Sequence, residues 1–492
     1  MSAVRSGRSV RGTERSKADV VVVGSGAGGA AAAYELASAG LEVTVLEAGP
    51  QVKAEDFTQR EMDAIKRLYV DQGAQGPADG SVSILQGRMV GGSTVINGEV
   101  CFRIPDFVLE AWAREHGARG LSPDEMKGAF EAVERMIHAT PNQGRSLLGG
   151  KRYAGGFDKL GIGLKPLVRN VKDCHDCCYC FFGCAYGCKQ STERSYLPAA
   201  MEKGATVVSD ARVEKIVFEG ARAAGVVART PEGSLEVTAR AVVLACGAIE
   251  TPLMLIDHKL GGPAVGRHLA LHPVVSVLGW YDDEQTEYRN AMLSQYSDDF
   301  ARDGFVIELF GASPAFLAPF VPGFGASHKR GALDLGRASG GAAVVRDDGA
   351  LGRVRRGRRG EKIIDYALDA QGRERVRRAL KTLSEIALAS GAHKVSLSAL
   401  TRPTEATAMA DLRKLDDIAL GPADVSFVSY HPQGTARLGV VTDFDGAVRG
   451  VRDLYVMDAS LFPSPVGVNT QVPVMGVATT LSRRLADRLK RS

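Results

Sequence analysis

The chain has 492 residues, with 61 Lys+Arg against 57 Asp+Glu and a formal net charge of +4. So even a balance excludes a protein that coats nucleic acid, which carries a large basic excess. Hydrophobic residues at 45% and charged residues at 24% make an ordinary globular mixture, and the length exceeds what one core supports, so two or more domains are expected. Two local features stand out: 57 glycines, and six of the eight cysteines packed between Cys174 and Cys188.

Residues 1–17 hold Arg5, Arg8, Arg11, Arg15 and Lys17 but no apolar stretch. They read as a disordered basic leader rather than a secretion signal. The uncharged run from Val20 to Tyr34 has 15 residues, four of them glycine, too short and too broken to span a bilayer. A cytoplasmic protein with reduced thiols and no transmembrane segment is expected.

Ala18 to Val23 reads as a buried strand, and Gly24-Ser25-Gly26-Ala27-Gly28-Gly29 follows at once. Ala30 to Ala37 is predicted helical, and Leu41 to Leu46 is a second parallel strand ending at Glu47. Gly24 would turn the chain, Gly26 would let the backbone approach a pyrophosphate, and Gly29 would let helix and strand pack closely. The helix start offers unpaired N–H groups to phosphate. Glu47, 23 residues after Gly24, is placed for ribose hydroxyls and disfavours a 2′-phosphate. The pattern predicts a dinucleotide, NAD or FAD.

Four later segments narrow the choice. Gly87-Arg88-Met89-Val90-Gly91-Gly92-Ser93-Thr94-Val95-Ile96-Asn97-Gly98 closely resembles the first signature of the glucose–methanol–choline (GMC) flavin oxidoreductases. Gly247-Ala248-Ile249-Glu250-Thr251-Pro252-Leu253-Met254-Leu255 is similar to their second signature. His431-Pro432-Gln433-Gly434-Thr435-Ala436-Arg437-Leu438-Gly439 resembles the catalytic histidine segment, and Asp458-Ala459-Ser460 with Gly467-Val468-Asn469 resembles the C-terminal flavin and catalytic segment. Thr470 and Leu438 depart from the family's usual Pro and Met. Gly266-Arg267-His268-Leu269 with His272-Pro273, Ile364-Asp365-Tyr366-Ala367-Leu368 and Gly391-Ala392-His393-Lys394-Val395 are similar to the long-chain fatty alcohol oxidase branch.

The resemblance implies FAD. Arg88, Gly91, Gly92 and Ser93 would run along the pyrophosphate and flavin, with Asn97 at the isoalloxazine and Val213 near the adenine. Asp458 and Ala459 would complete the flavin site. No histidine precedes His116, so the attachment is expected to be non-covalent. His431 would act as base, since a neutral imidazole accepts a hydroxyl proton near neutral pH. Asn469 would hydrogen-bond the substrate oxygen.

Cys174, Cys177, Cys180 and Cys184 stand at the C-x₂-C-x₂-C-x₃-C spacing of bacterial ferredoxin ligands. Cys178 and Cys188 are alternative ligands. An iron–sulfur cluster carrying electrons to an outside acceptor is one reading. A metal-free or zinc-bound loop is the second, and disulfides are the third. Cys101 and Cys246 read as buried small hydrophobes.

Phe305 to Phe310 alternates like a strand, with Glu308 as a second polar group near the substrate. The Pro- and Phe-rich stretch from Pro314 to Phe324 cannot make a long regular helix, and reads as a packed loop or an apolar wall over the substrate. Arg353-Val354-Arg355-Arg356-Gly357-Arg358-Arg359 reads as a solvated hairpin edge, or as a docking patch for an acidic carrier or anionic membrane surface.

The expected fold is α/β, a Rossmann-type FAD-binding domain beside an α+β substrate domain built on an antiparallel sheet. The first would comprise 18–105, 200–272 and 440–492. The second would comprise 106–199 and 273–439, with the cysteine-rich loop 174–188. The expected function is FAD-dependent oxidation of a lipophilic alcohol, with oxygen, a quinone or a redox protein as acceptor. Lyases and a decarboxylase on the same fold are the alternative chemistry.

Overall fold

The computed structural model describes residues 4–349, 352–397, 404–421, 424–425 and 427–491. Valine-rich strands buried on both faces assemble as a parallel sheet. Strand β1 (Gly12–Val23) leads through helix α1 (Ala27–Ser38) to β2 (Val43–Leu46), which pairs parallel with β1. Strand β3 (Thr206–Ser209) lies outside β2, and β4 (Gly233–Leu244) pairs parallel with β1 on its other side. Strand Leu454–Val456 joins β4 in parallel. Ala30, Ala31, Ala32 and Ala33 are fully buried, and such small side chains let α1 lie close against the sheet.

The leader is not disordered over its described part; residues 1–3 lie outside the described residues. Arg5–Ser6 pairs parallel with β3, and β1 starts at Gly12, six residues before the expected Ala18. Residues 12–18 align with 233–239 of β4, so the neighbouring backbone holds them. Arg15 stays in solvent, where it pairs with Glu236 at 2.7 Å, and Arg11 just before the strand pairs with Glu232 at 3.0 Å. A polar sequence hid an ordered strand because its mostly exposed side chains leave no apolar pattern.

Helices α2 (Asp106–Glu115) and α3 (Pro123–Met136) differ from the expected partition too. Trp112, Met126, Phe130 and Val133 pack in the first core with the C-terminal helix Gln471–Arg491, not in the second. Gly476 makes this close packing feasible, since a Cβ there would meet Phe130 at 2.5 Å.

The second unit is an antiparallel sheet containing β5 (Val274–Trp280), β6 (Leu293–Ser297), β7 (Phe305–Phe310) and β8 (Ala338–Val345). Its two faces divide by parity. Phe305, Ile307 and Leu309 join Val275 and Val277 in a core with α4 (Ala370–Ala389). Val274, Ser276, Glu308, Phe310, Ala342 and Val344 line a cavity on the opposite face. The Pro- and Phe-rich stretch breaks into short turns at Pro314–Leu317 and Ala318–Phe320, followed by helix Ala326–Leu333. The basic run forms a hairpin, Gly352–Arg356 against Lys362–Asp365, with Arg355 on Asp365 and Arg356 on Asp257. Among the described residues no helix is long and apolar enough to cross a membrane.

A buried charge cluster ties the cysteine loop to the loop before it. Lys189 Nζ donates to the carbonyls of Val95, Asn97 and Cys180 at 3.0, 2.7 and 2.8 Å, and lies 3.2 Å from Glu99. Arg169 lies 3.6 Å from Glu99 and 3.3 Å from Asp176, and donates to Asn142 at 2.6 Å. The Glu99 contacts are ion pairs outside hydrogen-bond geometry. Arg169→Met should lower stability by about 3–5 kcal/mol, the usual loss when one partner of a buried pair is removed. Thermal unfolding reads it, and a shift no larger than that of exposed Arg15→Met would refute the role.

Candidate active site

Gly24 turns sharply at φ 103°, and a Cβ there would sit 2.4 Å from the Ala245 carbonyl oxygen. The chain then enters α1, where Gly26 is the N-cap with no side-chain cap bond. The first N–H groups of α1 therefore remain for a ligand's phosphates. They open onto a cavity of about 750 Å³ lined by Gly24, Gly26, Glu47, Arg88, Gly92, Ser93, Asn97, Val213, Asp458 and Ala459, and also by His431 and Asn469. Gly29 and Gly91 lie behind that lining. A Cβ on Gly29 would meet the Gly24 carbonyl oxygen at 2.0 Å, so its role is the close packing of helix on strand.

Side chains brace the two glycine loops against each other. The Gly91 N–H donates to Ser25 Oγ at 3.0 Å, and Ser25 Oγ donates to Glu47 at 2.7 Å. The Ser25 and Gly49 N–H groups also donate to Glu47, at 3.0 and 2.9 Å. Burial pushes the Glu47 carboxyl up, and these contacts oppose the rise. Asp458 accepts from the Gly247 N–H at 2.9 Å and from Thr251 Oγ1 at 2.5 Å, fixing the start of helix Gly247–Asp257 beside the cavity. A phosphate-facing helix end, a bare-backbone cradle and a carboxylate at the end of β2 fit a dinucleotide such as FAD.

The far end of the cavity holds the candidate chemistry. His431 is buried, and burial alone pushes its imidazole down to about 4. Its Nδ1 has no hydrogen-bond partner among the described residues. The loop around it is fixed by groups the sequence reading did not single out. Gln433 Nε2 donates to the His431 carbonyl at 3.1 Å, while Gln433 Oε1 accepts from the Val466 N–H at 3.1 Å. His272 Nε2 accepts from the Gly467 N–H at 3.0 Å. These bonds bind the histidine loop to the loop preceding Asn469. Gln471 accepts from Asn97 Nδ2 and donates to Asn170 at 3.0 Å, a further contact that sequence pattern did not signal.

Asn469 Oδ1 has no partner among the described residues, and the same holds for Glu308 Oε1. Burial pushes the Glu308 carboxyl up to about 7, a rise opposed by the Asn469 amide. Around these polar atoms the walls are aromatic. Phe181 stacks on Tyr430 at 5.3 Å between centroids and on Phe316 at 4.9 Å, and Phe320 joins the lining.

Of the readings left open for the cysteine run, the cluster finds no support in its geometry. Among the described residues no three His, Cys, Asp or Glu side chains converge to hold a metal ion. Cys178 is directed to the Glu287 carbonyl and Cys188 to the Asp173 carbonyl, while Cys177 meets Gln59. Burial pushes the Cys174 thiol up to about 12 and raises Cys180 as well. Without three converging ligands among the described residues, the run gives no support to an iron–sulfur cluster or a zinc site. All eight cysteines are free. Lys189, reaching into the loop, donates to the Cys180 carbonyl at 2.8 Å.

Two outcomes follow. Gly29→Ala drives a Cβ into backbone that cannot move, and overpacking of this kind costs about 1–3 kcal/mol; the purified variant should hold less flavin per chain and melt earlier than wild type. Protein isolated without oxygen should contain less than about one iron per chain, because a cluster needs four convergent thiolates; stoichiometric iron and acid-labile sulfide would overturn the assignment of a metal-free loop.

Comparison with known proteins accords with this geometry. The family described as GMC oxidoreductase matches residues 65–274 and 327–478, and that described as FAD dependent oxidoreductase matches residues 19–58. An uncharacterised GMC-type oxidoreductase of Mycobacterium tuberculosis is 36% identical over 485 residues, 95% of this chain and 75% of its own. The long-chain-alcohol oxidase FAO4B of Arabidopsis thaliana is 28% identical over 516 residues, 97% of this chain and 68% of its own. Pyridoxine 4-oxidase from Mesorbium loti superposes with a TM-score of 0.73 at 20% identity, covering 95% of this chain and 98% of its own. The chain belongs to the GMC oxidoreductase family.

Proposed function

We propose that the protein oxidises a lipophilic alcohol to an aldehyde or ketone, with FAD held non-covalently and molecular oxygen as the final acceptor. The observation that carries this reading is His431: a buried, neutral imidazole in a cavity that Asn469 also lines and that Phe181, Phe310, Phe316 and Phe320 wall in part. When bound, FAD supplies the hydride acceptor. The chain's own residues do the rest. Phe181, Phe316 and Phe320 exclude water around the alkyl chain. The His431 imidazole takes the hydroxyl proton as the carbinol C–H bond breaks and the C=O bond forms. Asn469 holds the substrate oxygen in place, which is where oriented binding lowers the barrier. The relatives described as alcohol oxidases support oxygen as acceptor.

With the imidazole at about 4, His431 stays unprotonated through the neutral range, so its own titration should cut the rate only near that value. His431→Ala should bind flavin normally and reduce it by alcohol at least about 10²-fold more slowly, the scale of a lost general base. Anaerobic stopped-flow reduction measures this. Near wild-type reduction by the variant removes His431 from the role, and failure of every alcohol to bleach wild-type flavin removes the function. Each added methylene in the substrate should improve kcat/KM by about fourfold until the cavity is filled, since burying one CH₂ contributes about 0.8 kcal/mol. A homologous series of primary alcohols gives the slope.

A further inference from the structure

The buried carboxyl of Glu308 has no function in the reaction just described, yet it borders the same cavity. It stands on the cavity face of β7, opposite Tyr296 of β6 and Ala342 of β8 in the strand registers. Its Oε1 is without a partner among the described residues, as is Asn469 Oδ1. The Asn469 amide bears on the carboxylate in the sense that favours the ionised form. Both side chains line the cavity, and with an amide N–H toward the carboxylate the unpartnered Oδ1 is left for the substrate.

Resting on the proposed alcohol oxidation, we propose that Glu308 is a positioning residue whose protonation decides whether Asn469 presents a donor or an acceptor to the substrate oxygen. Ionised, the carboxylate takes the Asn469 N–H, and Oδ1 faces the alcohol. Protonated, the carboxyl O–H donates to Oδ1, the amide turns, and Nδ2–H points at the substrate. As the alcohol loses its proton to His431, charge develops on its oxygen, and only a donor stabilises that charge. The acid form of Glu308 is therefore the active one. No bond to Glu308 is made or broken in turnover; in the active form its proton stays on the carboxyl.

The groups facing Glu308 do not supply an alternative switch. Tyr430 feels the carboxylate, but burial comes first in raising its phenol, which stays protonated in the neutral range. His431 lies on the same segment, and burial alone sets its ionisation, with no contribution from Glu308. His272, whose ring lies 5.6 Å from that of His431, is held neutral by burial. Tyr296 across the strand is raised by partial burial. Ala342, Phe316 and Phe320 carry no charge, and α4 packs on the far face through Phe305, Ile307 and Leu309. Burial sets Glu308 near 7, within the range where the enzyme would be assayed.

The test is the pH profile of flavin reduction by a saturating primary alcohol, followed anaerobically from about pH 5 to about pH 9, for wild type and Glu308→Gln. Wild type should lose about tenfold per pH unit above about pH 7, with kcat falling and KM changing little. Glu308→Gln, whose amide N–H holds Asn469 Oδ1 at every pH, should show no such break. A wild-type rate that is flat or rising across that range overturns the switch without any variant. The same break in Glu308→Gln also overturns it, with alcohol oxidation left standing. Absence of reduction by any alcohol at any pH overturns the oxidation and the switch together. An absorbance titration of oxidised holoenzyme, with a flavin band shift near pH 7 in wild type and none in Glu308→Gln, reads the ionisation apart from turnover; a shift common to both assigns it elsewhere.

Discussion

Exclusion of water from one end of a single cavity is the constraint on which the remaining features depend. A solvated imidazole would spend much of its time protonated under mildly acidic conditions, whereas the buried His431 ring stays neutral down to about 4. The same dryness raises Glu308 to about 7. It leaves two oxygens and a ring nitrogen without partners among the described residues. Unsatisfied polar atoms of this kind destabilise a fold by about 1–3 kcal/mol each. Their retention in a cavity lined by Phe181, Phe316 and Phe320 marks the place where a ligand completes the hydrogen bonding.

That destabilisation is offset by rigidity elsewhere. Gln433 and His272 clamp the histidine loop to the 466–467 loop, and Ser25 joins the two glycine loops through Glu47 and Gly91. Lys189 and Arg169 anchor the cysteine loop against residues 95–99 from below. The reacting groups thus sit on loops, but each loop is cross-linked at two or more points to an element that cannot shift. Such cross-linking holds catalytic geometry within the narrow tolerance that oriented reactions need.

What the sequence disclosed followed from chemistry that demands particular residue types. Bare backbone is needed where Gly24 turns and where a Cβ on Gly92 would sit 3.0 Å from Gly26 Cα; the first glycine was read from its motif and the second from the family resemblance. His431 and Asn469 were singled out by that resemblance alone, and both line the cavity. The polar strand at 12–17 was missed because its mostly exposed side chains leave no apolar pattern. The amides of Gln433 and Gln471 leave no periodic trace, since their partners lie 33 and 301 residues away. The cysteine spacing left three readings open, and among the described residues it does not bring three ligands together; the lysine that reaches in from the end of the loop to the Cys180 carbonyl is encoded by no spacing rule.

Strand β7 separates two kinds of selection pressure with a period of two residues. Phe305, Ile307 and Leu309 answer to the packing of α4, while Glu308 and Phe310 answer to the cavity in front of the sheet. A change at Phe310 reshapes the chamber without disturbing the first set, because neighbouring residues point to opposite sides. The strand therefore behaves as a wall on a permanent frame: a bulkier or more polar substrate can be met at Phe310 while stability is held from behind.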